Sequence, residues 1–372
     1  MKNVFIFSEE DLIKSSACLV LASIFFGIPG LLVMLMLQWI TRQSYAEDVQ
    51  DKHGISHISA SRLGGAAVFG CTLALIFSAL ITEVTLLNRG AYGIHWTGWI
   101  GALACAVLGL VEDIRNNYLT PFFRLAVMML IFGMIVGVSP FLVPVELNVV
   151  WLRYLLGVPF IGWFLTVIFC VGFVNAVNMA DGANGLLPGI MTISFSIFYL
   201  ETNGFVYATL MTSCGLFTIF NVISGRLILG DAGAYGLGAA LVLSGLFLFS
   251  EGVFSASFLA VLLAYPCIDI MVSLVRRSTK GKSVFLPDDN HLHNRLNYHF
   301  RRWFRSKTLA NSITGAFIVF LTSGIALLGY MGHWWPITED QWVFIFIGQI
   351  FAYWIAFFVS GQDRASVTPC QG

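Results

Sequence analysis

Charge is what this sequence has least of. Only 11% of its 372 residues are Asp, Glu, Lys or Arg, while 58% are hydrophobic; soluble domains carry about 25% charged residues. A chain this apolar cannot keep a folded surface wetted, so its solvent is a bilayer. The net charge is zero, which removes the electrostatic basis for a nucleic-acid partner. The seven cysteines form no C-x-x-C pair, and Cys18, Cys71, Cys105, Cys170, Cys214 and Cys267 lie in apolar runs. They read as small packing residues, not as disulfides or metal ligands. Glu9, Glu10 and Asp11 precede the first long apolar run, the wrong order for a cleavable signal peptide. Sustained β-barrel alternation, linkers, low-complexity tracts and obvious repeats are also missing. Residues 1–372 are therefore expected to form a single all-α membrane domain.

What the sequence has is long, continuous apolar stretches. Spanning a bilayer core takes about 20 apolar residues per helix. About eleven candidates qualify: 16–40, 64–88, 97–111, 122–144, 155–174, 186–201, 205–223, 232–250, 254–275, 309–331 and 341–360. Lys and Arg orient them. Sixteen of the 20 basic residues fall on the side holding 41–63, 112–121, 175–185, 224–231, 276–308 and the C-terminal tail, and four fall on the other. The positive-inside rule places the first side in the cytoplasm, with the N-terminus outside and the C-terminus cytoplasmic. The longest gap, 276–308, is expected to be a basic cytoplasmic loop.

The same topology, set by basic residues alone, gathers the polar residues that carry chemistry on one face. Ionisable groups at membrane depth are costly and usually functional. Glu112 and Asp113 end the third span, and adjacent carboxylates can bind Mg²⁺ or accept a proton; they can equally be a helix end neutralised by Arg115 and Arg124. Asn175 and Asn178 share a helix face, followed by Asp181, Gly182, Asn184 and Gly185. These amides and the acid suit a base or sugar edge. The blander reading is a turn with Asn184 as the N-cap of the next helix, which leaves the paired asparagines unexplained. Asn221 closes the seventh span. Asp231, in Gly230-Asp231-Ala232-Gly233, opens the eighth as an N-cap, or as part of a phosphate or metal–phosphate site. Asp269 sits near the inner end of the ninth. His291, His293 and Arg295 lie in the basic loop and could hold a diphosphate by charge-assisted hydrogen bonds, or simply form a polar surface.

Together these stretches resemble the polyprenyl-phosphate N-acetylhexosamine-1-phosphate transferase family. The matching segments are RLGG from Arg62, LGLVED ending at Asp113, NAVNMADGANGL from Asn175, LGDAGAYGLG around Asp231, AYPCID ending at Asp269 and HLHNRL from His291. They occur in the family's order across residues 62–296. Three departures stand out: Glu112 replaces the first acid of the family's usual Asp-Asp pair, Asn184 stands where many members have an acid, and the histidine motif reads HLHN.

The resemblance implies transfer of a sugar-1-phosphate, of the N-acetylhexosamine class, from a UDP-sugar to polyprenyl (undecaprenyl) phosphate, releasing UMP in the first membrane step of a cell-envelope polysaccharide pathway. It implies Mg²⁺ (or Mn²⁺) on Asp231 and Asp113, with Asp113 as base and Glu112 in support. Asn178, Asp181 and Asn221 would line the nucleotide side; His291, His293 and Arg295 would meet the diphosphate or sugar, with Asn175, Asn184 and Arg62 also in the substrate site. The setting would be the inner membrane, multi-pass, with the site on the cytoplasmic face among membrane lipids, compatible with a homodimer. A secondary transporter should instead place its polar residues near the midplane. A membrane prenyltransferase should show two Asp-rich motifs, and Glu112-Asp113 is the only such pair in a span.

Overall fold

The computed structural model describes residues 9–41, 60–81, 96–115, 118–279, 281 and 290–365. It is a helical bundle. In chain order the α-helices are α1 (Glu9–Ile40), α2 (Gly64–Ile81), α3 (Trp96–Arg115), α4 (Pro121–Val138), α5 (Val150–Leu156), α6 (Pro159–Ala180), α7 (Leu186–Thr202), α8 (Phe205–Ser224), α9 (Gly230–Ser250), α10 (Ala256–Leu262), α11 (Ala264–Thr279), α12 (Leu292–Trp303), α13 (Lys307–Val319), α14 (Ile325–Met331) and α15 (Trp342–Ala365). Among the described residues eight helices are long and apolar enough to cross a membrane, the pair α10–α11 adds a bent one, and α2 and α7 contribute shorter apolar helices. Each of the eleven expected spans has a helix among its described residues, and 82–88 of the second lie outside them. The protein is an all-α polytopic membrane protein.

Three local features depart from the expectation of straight spans. The third span does not stop at 111: α3 runs on to Arg115 and carries Glu112 and Asp113 with it, both buried. The ninth is broken, with α10 and α11 meeting at 82°. The basic loop 276–308 is not all loop. It holds the amphipathic helix α12, whose Leu292 and Leu296 pack on the core and whose Phe300 stacks edge-on against Phe317 of α13. The i, i+4, i+8 spacing of these three residues was the available signal. Several residues used for the topology lie outside the described set: Arg42, Lys52, Arg89, Lys280 and Lys282. So do Asp288 and Asp289 of the histidine-motif loop.

α9 is the axis of the bundle. Some 89% of its apolar window is buried, against 22% for α1, α4 and α15, whose large side chains face outward as lipid-facing helices must. Small residues let neighbours approach it, as expected where no hydrophobic effect drives helices together. A Cβ at Gly109 of α3 would lie 2.2 Å from the carbonyl oxygen of Asp231, so α3 packs there backbone to backbone.

A second stitch holds the broken span. α13 passes into α14 through a π turn, Phe320–Gly324. The Gln349 amide of α15 donates to the carbonyls of Val261 (3.4 Å), Leu321 (3.4 Å) and Thr322 (3.2 Å), and the Ser323 hydroxyl donates to Leu262 (2.6 Å). Irregular backbone at membrane depth survives only when its polar groups find such partners. The six described cysteines are free, and all but Cys267 are fully buried.

Candidate active site

The acidic residues come first. Asp113 Oδ1 accepts the N–H of Asp231 at 2.9 Å and its Oδ2 accepts that of Ala232 at 2.7 Å. These are among the first amides of α9, whose own N-cap position is Leu229, a residue with nothing to offer them. α3 therefore supplies the missing cap from another part of the chain, and the carboxylate faces the positive end of the α9 dipole. Capping α9 falls to Asp113, while Asp231 lies inside its first turn. The Arg124 guanidinium ties the rest together: Nη1 donates to Asp231 Oδ2 and to the Tyr235 hydroxyl, each at 3.1 Å, and lies 3.9 Å from Glu112 Oε1. Glu112 Oε2 accepts the N–H of Leu119 at 3.0 Å. Arg62 is buried within electrostatic reach of Asp113. Its segment is pinned because Gly64 and Gly65 donate to the carbonyls of Ile228 (3.1 Å) and Leu229 (2.7 Å), beside a parallel β-bridge between Ser61 and Leu227.

The asparagines follow. Asn221 Oδ1 accepts the N–H of Gly185 (2.6 Å) and its Nδ2 donates to the Leu227 carbonyl (2.7 Å). It splices the α6–α7 turn to the α8–α9 turn. Asn184 is not the N-cap of α7. That position is Gly185, in the left-handed region at φ 75°, which an asparagine one residue earlier cannot replace. Instead, Asn184 faces α13, taking the Asn311 side chain on its N–H (3.3 Å) and donating to Ser312 Oγ (3.4 Å). Asn175 turns back onto the Val171 carbonyl of its own helix (2.8 Å). Asn178 is half-buried and makes no side-chain hydrogen bond among the described residues; Asp181, also half-buried, closes α6 three residues later.

The histidines complete the set. A Cβ at Gly182 would lie 2.1 Å from His293 Nε2, so only glycine lets the imidazole close on the turn after Asp181. His291 Nδ1 lies 2.6 Å from Asp269 Oδ2, and His293 Nδ1 lies 2.8 Å from the Tyr265 hydroxyl. Arg295 does not join them: its Nε donates to Asn290 Oδ1 and its Nη1 to the Phe357 carbonyl, both at 2.7 Å, with the guanidinium 3.6 Å over the Phe357 ring. It fastens α12 to α15.

One line of contacts thus runs through the motifs, from His293 to Gly182, through the turn to Gly185, by Asn221 to Leu227, and along that turn to Asp231, Asp113 and Arg124. Asn175, Asn184 and Arg295 turn to partners off this line. Sequence reading missed Tyr265, Tyr353, Asn311 and Ser312, and had given Arg124 only a neutralising part and Tyr235 no role. Tyr265 had a usable signal, standing four residues before Asp269 on one helix face; the others are joined only through tertiary structure.

An all-α membrane bundle with buried carboxylates, amides and imidazoles joined at one end has the form of an intramembrane enzyme. Residues 95–249, from the start of α3 to the end of α9, match glycosyl transferase family 4. Over more of its length the chain is similar to proteins named as transferases. It is 27% identical, over 63% of its length and 65% of the relative's, to a probable undecaprenyl-phosphate N-acetylglucosaminyl 1-phosphate transferase of Bacillus subtilis. It is 26% identical to a phospho-N-acetylmuramoyl-pentapeptide-transferase of Oceanobacillus iheyensis, over 73% of this chain and 87% of that one. Identity is also 26% to a decaprenyl-phosphate N-acetylglucosaminephosphotransferase of Mycobacterium tuberculosis, over 63% and 65%. The chain spans just under two thirds of the first and third of these and most of the second.

Proposed function

We propose that this protein transfers a sugar-1-phosphate, of the N-acetylhexosamine class, from a UDP-sugar to a polyprenyl phosphate such as undecaprenyl phosphate, releasing UMP and leaving a polyprenyl-diphospho-sugar for an envelope polysaccharide. The observation that supports the reading is the line of contacts and connecting turns from His293 to Arg124, which links carboxylates, amides and imidazoles near the helix ends. The names of the relatives add the substrate class. The broken α10–α11 span is the one feature a transporter would also show, but the ionisable groups collect at the bundle's end.

Phosphoryl transfer asks a protein mainly for positioning and charge stabilisation. Asp231 and Glu112 point their carboxylates at one cation, the Arg124 guanidinium. Among the described residues no cluster of three or more Asp, Glu, His or Cys side chains is arranged to hold a metal. That donor set fits Mg²⁺, which is commonly held by one or two carboxylates and completed by substrate phosphates and water. Mg²⁺ bound by Asp231, with Asp113 or Glu112 beside it, would neutralise the diphosphate. Asp113 fixes the first turn of α9 and so the position of Asp231. Asn178 and Asp181, on one face at the end of α6, suit the nucleotide. The basic-residue bias supports a cytoplasmic placement of this end.

The test is UMP release by the purified protein given a panel of UDP-sugars with undecaprenyl phosphate and Mg²⁺. Lipid-dependent release with at least one sugar is expected; release from none sinks the reading. For orientation, a single cysteine introduced at position 146 should react with an impermeant reagent on intact cells and one at 305 should not. The reverse pattern would overturn the cytoplasmic placement.

A further inference from the structure

The two histidines are not equivalent. Asp269 and Tyr265 stand one helical turn apart on α11, one above the other, and each takes the Nδ1 of one imidazole. The rings lie parallel, 1° apart in plane and 5.5 Å between centroids. Both Nδ1 atoms face α11, so both Nε2 atoms face away from it, His293's toward the Gly182 turn. What backs each ring differs. Asp269 accepts three hydrogen bonds: His291 Nδ1 at 2.6 Å, the Tyr353 hydroxyl at 2.6 Å and the Leu292 N–H at 3.4 Å. Three donors keep it a carboxylate, and a carboxylate on Nδ1–H stabilises a positive imidazole. The Tyr265 hydroxyl already accepts the His293 N–H at 3.2 Å. Its own proton, buried with it, has Nδ1 of His293 as partner, and leaving that proton unmade would cost about 1–3 kcal/mol. A histidine that accepts at Nδ1 is neutral and carries its proton on Nε2.

Resting on the function proposed above, we infer that α11 sets the two histidines to different tasks. His291, backed by Asp269 and Tyr353, presents positive charge to the diphosphate being transferred. His293, backed by Tyr265, stays neutral and presents an Nε2–H donor. Asp269, Tyr353 and Tyr265 are positioning residues, acting through the rings they hold.

Two measurements test this. In ¹⁵N-histidine spectra of the detergent-solubilised protein, His293 should show a protonated Nε2 and a bare Nδ1 between pH 6 and 8, while His291 keeps Nδ1 protonated. With seven histidines in the chain, His291→Gln and His293→Gln variants assign the signals. Among the described residues Asp269 and Tyr265 of α11 meet these rings, Tyr353 of α15 meets Asp269, and Arg276 and Arg295 lie within electrostatic reach of Tyr353. A protonated Nδ1 on His293 overturns the assignment. In UMP release from UDP-N-acetylglucosamine and undecaprenyl phosphate, or whichever UDP-sugar supports turnover, Asp269→Asn should lower kcat about a hundredfold with KM for the nucleotide nearly unchanged, the scale of a misdirected general acid–base or charged group. Tyr353→Phe should lower it about tenfold and Tyr265→Phe less, each worth about 1.4 kcal/mol or below. In a His291→Ala background, Asp269→Asn should cost nothing further. Equal losses for Asp269→Asn and Tyr265→Phe, or a full loss on top of His291→Ala, overturn the division of tasks. Should Asp269→Asn unfold, Tyr353→Phe and the spectra still decide. If the wild-type protein releases no UMP from any UDP-sugar, the proposed function fails, and the spectra alone judge the asymmetry.

Discussion

The site has two halves built by opposite means. In the acidic half a carboxylate meets backbone: Asp113 caps α9, Asn221 joins two turns through their amides and carbonyls, and one arginine, Arg124, closes the set. In the histidine half side chains meet side chains, Asp269 with His291 and Tyr353, Tyr265 with His293. The first arrangement ties chemistry to the fold, so a change there disturbs helix ends as well as charge. The second is buried and meets the backbone only at two amides opening α12, Leu292 N–H on Asp269 (3.4 Å) and His293 N–H on Tyr265 (3.2 Å), so a change there should shift rate more than stability.

That contrast can be broken at its strongest point first. Asp231→Asn removes the carboxylate that faces Arg124 and is proposed to hold Mg²⁺. Turnover should fall at least about a hundredfold, or ~2.7 kcal/mol, with the protein still folded. Retention of more than a tenth of the wild-type rate would remove Asp231 from the metal site.

A finer comparison sets Asp113→Asn against Glu112→Gln. An amide at 113 turns one acceptor into a donor facing a helix N–H, and lost caps cost about 0.5–2 kcal/mol. Asp113→Asn should therefore lower both the melting temperature in detergent and UMP release, while Glu112→Gln, whose partners are one N–H and a more distant Arg124, should lower release less and leave melting almost unchanged. A larger activity loss for Glu112→Gln would make Glu112 the primary group.

The smallest effect on chemistry should come from Asn221→Ala. It strands the Gly185 N–H and the Leu227 carbonyl, each about 1–3 kcal/mol when buried and unpartnered. Thermal unfolding should shift down clearly, and the KM for UDP-sugar in the surviving folded fraction should stay near wild type. An unchanged melting point with a raised KM would return Asn221 to the nucleotide.

How much of this the sequence could reveal follows from where each interaction's partners lie. The spans were legible because membrane helices announce themselves by composition over about 20 residues. The candidate residues Glu112, Asp113, Asp231, Asp269, His291 and His293 are legible because polar groups are conspicuous in an apolar chain. Their partners are not. That Asp113 caps a helix 118 residues later, that Asn184 belongs to α13, and that Arg295 serves α15 are facts of tertiary packing. Local patterns offer Asn184 as a cap only as the blander alternative, and it forms none; its partner Asn311 is 127 residues away.

The bend between α10 and α11 has a consequence of the same kind. α11 leaves the line of α10 at 82° and carries Tyr265 and Asp269 to the histidines at that angle. Pro266, in the first turn of α11, has no N–H to return to the Leu262 carbonyl, so a straight helix cannot continue through the corner, and the Ser323 hydroxyl takes that carbonyl instead. Part of what permits the corner is an amide on α15, Gln349, which serves the carbonyls of two other helices at once. In oil an unserved carbonyl is a debt no solvent settles. The angle at which the imidazoles are aimed is thus written partly at position 349, about ninety residues from where the chain turns, in a helix with most of its apolar window exposed to lipid.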